Sequence, residues 1–221
     1  DLMVGVDGQN VGNNYYQGQA FVYSGVDGSL LLTLDNPTPQ SFAYFGSPVA
    51  EAGDVNGDGT PDLLVGAQYQ NVDSYVDQGQ AFVFSGTDGS LLLTLDDPTP
   101  QAFAYFGNAV AGVEDINGDE VVDLLVGAHD QDVGNNNDQG QAFVFSGTDG
   151  SLILTLDDPI PQETARFGSA VAGAGDVNGD GVFDLLVGAY AQTIGGISYR
   201  GQVFVFSGID GSLIFTLNNP T

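Results

Sequence analysis

The sequence has no cysteine, no tryptophan and no lysine, and its single histidine is His129. Without cysteine there is no disulfide framework and no thiol chemistry. Arg166 and Arg200 are the only fixed positive charges, set against 29 acids, for a formal net charge of −27. Nucleic-acid binding needs cationic contacts to phosphate, and an anionic membrane surface needs a basic patch, so both partners are excluded. A Ser-His-Asp arrangement would have to use His129, which opens a variable loop and reads as an ordinary loop residue. The four glutamates (Glu51, Glu114, Glu120, Glu163) do not recur in register, and no phosphate-cradling glycine loop precedes a helix. The chain therefore reads as non-catalytic. It shows no signal-peptide pattern and no apolar run long enough to span a bilayer, so membrane insertion is not expected.

What is present is repetition. Gly18-Gln-Ala-Phe-Val-Tyr-Ser-Gly returns at Gly79, Gly140 and Gly201, and Phe45-Gly46 returns at Phe106-Gly107 and Phe167-Gly168. The period is 61 residues with no slip, dividing the chain into a partial unit 1–38 and full units 39–99, 100–160 and 161–221. The proline element Pro37-Thr-Pro-Gln recurs at Pro98, at Pro159 and, cut short, at Pro220. The chain opens inside a repeat, on Asp1-Leu-Met-Val-Gly-Val, and reads as a mature product, a fragment or the visible part of something longer.

Each full unit contains one acidic loop that runs into an apolar strand. The loops are DVNGDGTPD (Asp54–Asp62), DINGDEVVD (Asp115–Asp123) and DVNGDGVFD (Asp176–Asp184), each followed by Leu-Leu-Val-Gly-Ala. Oxygen-bearing side chains fall at positions 1, 3, 5 and 9: Asp54, Asn56, Asp58 and Asp62; Asp115, Asn117, Asp119 and Asp123; Asp176, Asn178, Asp180 and Asp184. Alternate oxygens let a short loop wrap a hard cation, and calcium takes about six to eight of them, one from the position-7 backbone carbonyl. Position 7 is Thr60, Val121 and Val182. A plain turn needs only one or two such residues. An EF-hand needs an oxygen donor at position 12 and then a helix, but position 12 is Val65, Val126 and Val187, inside a strand-like run. The expectation is three Ca2+ sites, which would reduce the charge from −27 to about −21. Cytosolic calcium is too low to fill weak loops of this kind, which favours an extracellular or cell-surface location.

The pattern predicts four strands per unit and no helix: Ala43–Ala50, Asp62–Ala67, Gln80–Ser85 and Leu91–Leu95. Strands 2 and 4 are continuous apolar runs, which implies burial on both faces. Ser85–Ser90 joins strands 3 and 4 as a tight hairpin. Short antiparallel four-stranded units repeated radially describe an all-β fold, a β-propeller, with three full blades and one lacking strand 1. A linear stack of such sheets would leave two apolar ends exposed.

These motifs resemble the FG-GAP repeat family, the propeller of integrin alpha subunits and of many bacterial surface proteins. The Phe-Gly elements are those above, and the Gly-Ala elements are Gly66-Ala67, Gly127-Ala128 and Gly188-Ala189, with Gly5-Val6 in the partial unit. The resemblance implies that the loops between them are the calcium sites, on the lower face. It also implies that partners bind the upper face, at Asp7–Gln17, Gln68–Gln78, His129–Gln139 and Tyr190–Arg200. Tyr15, Tyr16, Tyr69, Tyr75, Tyr190 and Tyr199 would be the stacking residues for a glycan or protein ligand. Two departures stand out: Glu120 replaces the position-6 glycine of the second loop, and Glu114 stands where Gly53 and Gly175 precede the others. The second site is therefore expected to be strained or weaker, unless a glutamate carboxylate supplies an extra ligand. The function classes are a structural or adhesive propeller that forms polymers by strand exchange between copies, a lectin-like or protein-binding propeller, and a non-catalytic module of a larger secreted enzyme.

Overall fold

Glycine, asparagine and proline punctuate apolar runs that become strands of five or six residues, or of eight and nine at Phe106–Val113 and Phe167–Gly175. The computed structural model describes residues 1–218, so the shortened proline element at Pro220 lies outside the described residues. The partial unit forms a three-stranded sheet of β1 (Leu2–Val6), β2 (Gln19–Tyr23) and β3 (Leu30–Asp35). The next units form four-stranded sheets: β4 (Val49–Gly53), β5 (Asp62–Ala67), β6 (Gln80–Phe84) and β7 (Leu91–Leu95), then β8 (Phe106–Val113), β9 (Asp123–Ala128), β10 (Gln141–Phe145) and β11 (Leu152–Asp157). The last is β12 (Phe167–Gly175), β13 (Asp184–Ala189), β14 (Gln202–Phe206) and β15 (Leu213–Asn218). Every sheet is an antiparallel meander in chain order, and no helix occurs among the described residues. These are propeller blades.

The hairpins form as the sequence predicts. The Ser85 amide donates to the Ser90 carbonyl (2.8 Å), and Ser90 N–H in turn donates to Asp88 Oδ1 (2.9 Å). The same bonds recur from Ser24, Ser146 and Ser207.

Two expectations need correction. Strand 1 of the second blade begins at Val49, not Ala43. Phe42 and Tyr44 adopt left-handed backbone (φ 65° and 53°), which breaks strand geometry, and Pro48 has no N–H to give to a ladder. Where Ala109 and Ala170 take its place, strand 1 reaches back to Phe106 and Phe167. Strand 4 is not buried on both faces: in β7 Leu91 and Thr94 are exposed, Leu92 and Leu93 are half-buried, and only Leu95 is buried. It is the outermost strand of its sheet. Strand 3 is buried along its whole length in the second and third blades, as strand 2 nearly is.

The two signature dipeptides are packing devices. Phe106 is fully buried and meets Phe143 and Phe145 of its own blade, at ring separations of 6.0 and 5.9 Å. Phe45 and Phe167 do the same in theirs. In the partial unit Phe21, the counterpart of Phe82 and Phe143, is only half-buried. The glycine of Gly-Ala lies against the Phe-Gly glycine of the next blade. A Cβ on Gly66 would stand 2.2 Å from the Gly107 carbonyl oxygen, and one on Gly127 would stand 2.0 Å from that of Gly168. No side chain fits there, so neighbouring blades approach backbone to backbone.

Candidate metal centres and upper-edge loops

The meander sorts the connections to opposite edges. The acidic loops and the 3–4 hairpins share one edge: Gly86 N–H donates to Asp62 Oδ1 (2.9 Å), and Thr87 Oγ1 meets Thr60 Oγ1 (2.9 Å). The 2–3 loops and the 4–1 linkers share the other, where Gln70 Nε2 donates to the Thr38 carbonyl (2.9 Å).

Each acidic loop is wound tightly on its own side chains. Asp54 Oδ1 accepts from Gly57 N–H (2.8 Å) and Asp58 N–H (3.1 Å), while its Oδ2 accepts from Gly59 N–H (2.8 Å). Asn56 Oδ1 accepts from Asp58 N–H, and Asp58 Oδ1 from Thr60 N–H, both at 2.9 Å. Asp62 is fully buried at the head of β5, and its Oδ2 accepts from Val55 N–H (2.9 Å). The second and third loops repeat these bonds through Asp115, Asn117, Asp119 and Asp123, and through Asp176, Asn178, Asp180 and Asp184. Val121 and Val182 occupy position 7, as Thr60 does.

Among the described residues no three Asp, Glu or His side chains converge as metal ligands. The carboxylates turn to backbone N–H groups instead. The donor set nevertheless suits a hard cation. Asn56 Nδ2 sits between Asp58 Oδ2 (3.2 Å) and Asp62 Oδ1 (3.5 Å), so a positively polarised group already bridges the two carboxylates. Asn117 and Asn178 do the same. The surroundings also leave negative charge in need of a partner. Burial raises the Asp62 carboxyl, and neighbouring Asp58 adds to the effect. Burial, with Asp119 and Asp115 nearby, pushes Asp123 up to about 6. At the loop tip the Thr60 and Val121 N–H groups lower Asp58 and Asp119.

The departures in the second loop are visible in the backbone. Glu120 has φ 69° where Gly59 and Gly181 have 88° and 92°, so the glutamate is held left-handed. Gly53 and Gly175 are also left-handed and pair with Asp62 and Asp184 across a bulge. Glu114 is not, and Val113 pairs with Asp123 instead.

At the upper edge the 2–3 loops share one backbone despite their different sequences. Each closes on a short bridge, at Val11–Asn14, Val72–Tyr75, Val133–Asn136 and Ile194–Ile197. Of the tyrosines singled out from sequence, Tyr16 and Tyr69 join one aromatic row. Tyr16 stacks on Phe42 and Tyr44 (5.7 and 5.9 Å), Tyr44 meets Tyr69 (5.1 Å), Tyr69 meets Tyr105 (5.0 Å), and Tyr105 stacks on His129 (5.6 Å). Beyond His129, Asp130 pairs with Arg166. Tyr15, Tyr75, Tyr190 and Tyr199 are exposed and lie outside this row. Sequence reading missed Tyr44 and Tyr105 because it placed the chain before Phe-Gly in a strand from Ala43, and it did not single out Phe42, just ahead of that strand. Burial lowers the His129 imidazole to about 4, so it is neutral near pH 7.

The FG-GAP repeat model matches residues 49–84, 106–145 and 167–206. This chain belongs to the FG-GAP repeat family. Relatives include bovine (Bos taurus) integrin alpha-2, 33% identical over 190 residues, 81% of this chain and 16% of the relative. Mouse (Mus musculus) integrin alpha-IIb is 35% identical over 194 residues, 82% of this chain and 18% of the relative. Xenopus laevis integrin alpha-5 is 29% identical over 236 residues, 100% of this chain and 21% of the relative. The FG-GAP chain thus spans about a fifth of these relatives or less. Kinship with integrin alpha subunits accords with a place outside the cell or at its surface. No helix among the described residues is long and apolar enough to cross a membrane.

Proposed function

We propose that this FG-GAP chain is a non-catalytic, calcium-binding propeller segment with a structural or adhesive role at the cell surface. The observation that carries the reading is the thrice-repeated loop in which an asparagine Nδ2 bridges two carboxylates, one of them fully buried. Calcium would be held by Asp54, Asn56, Asp58, Asp62 and the Thr60 carbonyl, and by their counterparts. It would supply the charge those carboxylates lack. Because it binds the folded loop, it stabilises by mass action, about 2.7 kcal/mol at a hundredfold excess over Kd for each site. Titration calorimetry, with thermal unfolding before and after chelation, tests this. Equal melting temperatures with calcium and with chelator would sink it.

The loops also hold the blades together. Val55 at loop position 2 lies against the hairpin glycine of the next blade, 3.1 Å from where a Gly147 Cβ would stand, and Ile116 lies likewise against Gly208 (3.2 Å). Ordering a loop therefore stiffens a joint between blades.

Two further readings have support. Exchange of strands between copies is a reading that rests on β1, which among the described residues pairs only with β2, so that a strand from another copy could add beside it. Light scattering tests it, and a calcium-loaded chain that stays monomeric at high concentration would remove it. A glycan or protein ligand on the upper edge is favoured by the aromatic row, whose residues Tyr16, Phe42, Tyr44 and Tyr105 are held left-handed. Such strain gathers at functional positions. A calcium-containing glycan array that gives no signal would count against the sugar branch.

A further inference from the structure

One polar contact recurs at each joint between blades, and it changes chemistry along the chain. At the first joint Asn36 Nδ2 donates to Gln70 Oε1 (2.8 Å), while Gln70 Nε2 donates to the Thr38 carbonyl and Thr38 Oγ1 (2.9 and 2.6 Å). Asn36 and Gln70 are both about 2% exposed. One repeat on, the pair is Asp97 and Gln131, and then Asp158 and Gln192, again all nearly fully buried. The glutamines keep their orientation: Gln131 Nε2 donates to the Thr99 carbonyl (2.8 Å) and Gln192 Nε2 to the Ile160 carbonyl (3.0 Å). A carbonyl can only accept, so each glutamine must present Oε1 to the aspartate. Asp97 Oδ1 and Asp158 Oδ1 accept from Thr99 and Ile160 N–H, both at 2.8 Å. At the repeat position of the Asn36–Gln70 bond there remain two acceptors and no donor. Asp97 Oδ2, Gln131 Oε1, Asp158 Oδ2 and Gln192 Oε1 are all buried without a partner.

We infer that Asp97 and Asp158 carry a proton in the closed joint and donate it to Gln131 and Gln192, so that these two joints are proton-dependent clasps while the Asn36–Gln70 joint is permanently latched. A carboxylic acid O–H replaces the Asn36 N–H with the same shape and the same direction of donation. A metal ion is a poorer occupant, because two oxygens fall far short of a cation's coordination shell. Burial favours the neutral form and outweighs the neighbouring hydrogen-bonding groups, Thr99 and Gln131 or Ile160 and Gln192, that favour the charged one, raising Asp97 and pushing Asp158 up to about 6. The surrounding charges act the same way. Asp96 and Asp157 adjoin the two groups, though Asp157 already accepts from Gln141 Nε2 and Asp96 from Gln80 Nε2 (2.6 Å each). From the facing 2–3 loop, Gln131 is flanked by Asp130, which pairs with Arg166, and by Asp132, while Gln192 is flanked by Ala191 and Thr193. When the proton leaves, the glutamine can satisfy the carboxylate only by turning its amide over, which breaks its bond to the Thr99 or Ile160 carbonyl.

The sign follows from the raised folded value. The Asp158 clasp contributes fully below the unfolded aspartate range near 4 and is lost as pH rises through about 6, and the Asp97 clasp is lost in the same direction. The test is urea unfolding of the wild-type chain and of Asp97→Asn/Asp158→Asn, which copies the first joint, at fixed calcium and ionic strength from pH 4 to 7.5. The two should unfold alike at pH 4, and at pH 7 the variant should be favoured in its unfolding constant by about a hundredfold through the Asp158 joint, with a further gain in the same direction from Asp97. A ratio that does not change with pH overturns the inference, and so does one that tracks metal-ion concentration at constant pH. Two measurements do not depend on that variant folding. Asn36→Asp should acquire the same pH dependence at the first joint, and an unaltered profile counts against the clasp. Infrared spectra of the wild type at pH 5 should contain a buried protonated carboxyl band, and its absence would overturn the assignment.

Discussion

Replacing Glu120 by glycine isolates the strain in the second loop. Glu120 N–H donates to Asp115 Oδ2 (2.7 Å), just as Gly59 and Gly181 donate to Asp54 and Asp176 (2.8 and 3.0 Å). The loop winding therefore imposes φ 69° on a residue with a side chain. A left-handed residue other than glycine costs about 1–2 kcal/mol. Glycine gives back about 0.4–1 kcal/mol of that through the extra freedom of the unfolded chain. The net expectation is that Glu120→Gly stabilises by roughly 0.5–1 kcal/mol, a rise of about 2–3 °C in melting temperature for a chain of this length. The side chain is exposed, so no packing is lost. Removing a negative charge beside three carboxylates would also stabilise the calcium-free loop, so Glu120→Ala is the control: it loses the charge but keeps a Cβ in the left-handed region. Thermal unfolding in chelator, and then in calcium, separates the two effects. If glycine and alanine raise the melting temperature equally, backbone strain is not the cause and the reasoning fails.

Gly127→Ala should cost more than an ordinary glycine substitution, because its Cβ would sit 2.0 Å from the Gly168 carbonyl oxygen; denaturant unfolding should show a loss of several kcal/mol, whereas Gly188→Ala, whose nearest contact would be 3.4 Å, should cost far less. Ile116→Ala should lose about 2–4 kcal/mol through the joint it packs against, and Val177→Ala, at the same loop position but largely exposed, should lose little; equal losses would contradict the role given to position 2. His129 is held neutral down to about pH 4, so the unfolded chain binds the extra proton between about 4 and 6.5 and stability rises with pH across that window. His129→Phe keeps a ring against Tyr105 and should flatten the rise, which runs opposite to the slope from Asp97 and Asp158; an unchanged difference curve in pH-dependent unfolding would refute the assignment.

The blade register was legible because the motifs that mark it are contacts. Phe45, Phe106 and Phe167 fill the same hole, and Gly66 and Gly127 close on the next blade, so the period could be read before any strand was placed. The start of strand 1 was not legible. Phe42 and Tyr44 look like strand residues by propensity, and only their left-handed backbone shows that the segment turns outward. Strand 4 reads as Leu-Leu-Leu-Thr-Leu whether buried or not, and its exposure follows from its place at the end of the meander. At the acidic loops the oxygen-bearing positions were legible. Their engagement with backbone N–H groups was not, because the same alternation of Asp and Asn serves a tight turn and a cation. The stranded acceptors at Asp97 and Asp158 could have been suspected from Asn36 at the same repeat position, but only burial shows that the exchange matters.

The repeat divides into parts that must match a neighbour and parts that need not. Residues at the joints meet a counterpart one blade away: Gly66 with Gly107, Val55 with Gly147, Asn36 with Gln70. A change at one of them is felt in two blades. The 2–3 loops close on their own bridges and hold the same backbone with different side chains. A surface whose backbone is fixed and most of whose side chains vary is suited to recognition, and here it adjoins the aromatic row, the only histidine and Arg166. The lower edge is fixed in both respects, with one acidic loop repeated three times and tied to the next blade through Val55 and Ile116. The lower edge is therefore given to stability alone, while the upper edge combines the Asn36–Gln70 joint and its counterparts with a surface suited to recognition, so only substitutions away from those joint residues leave the blades' contacts intact.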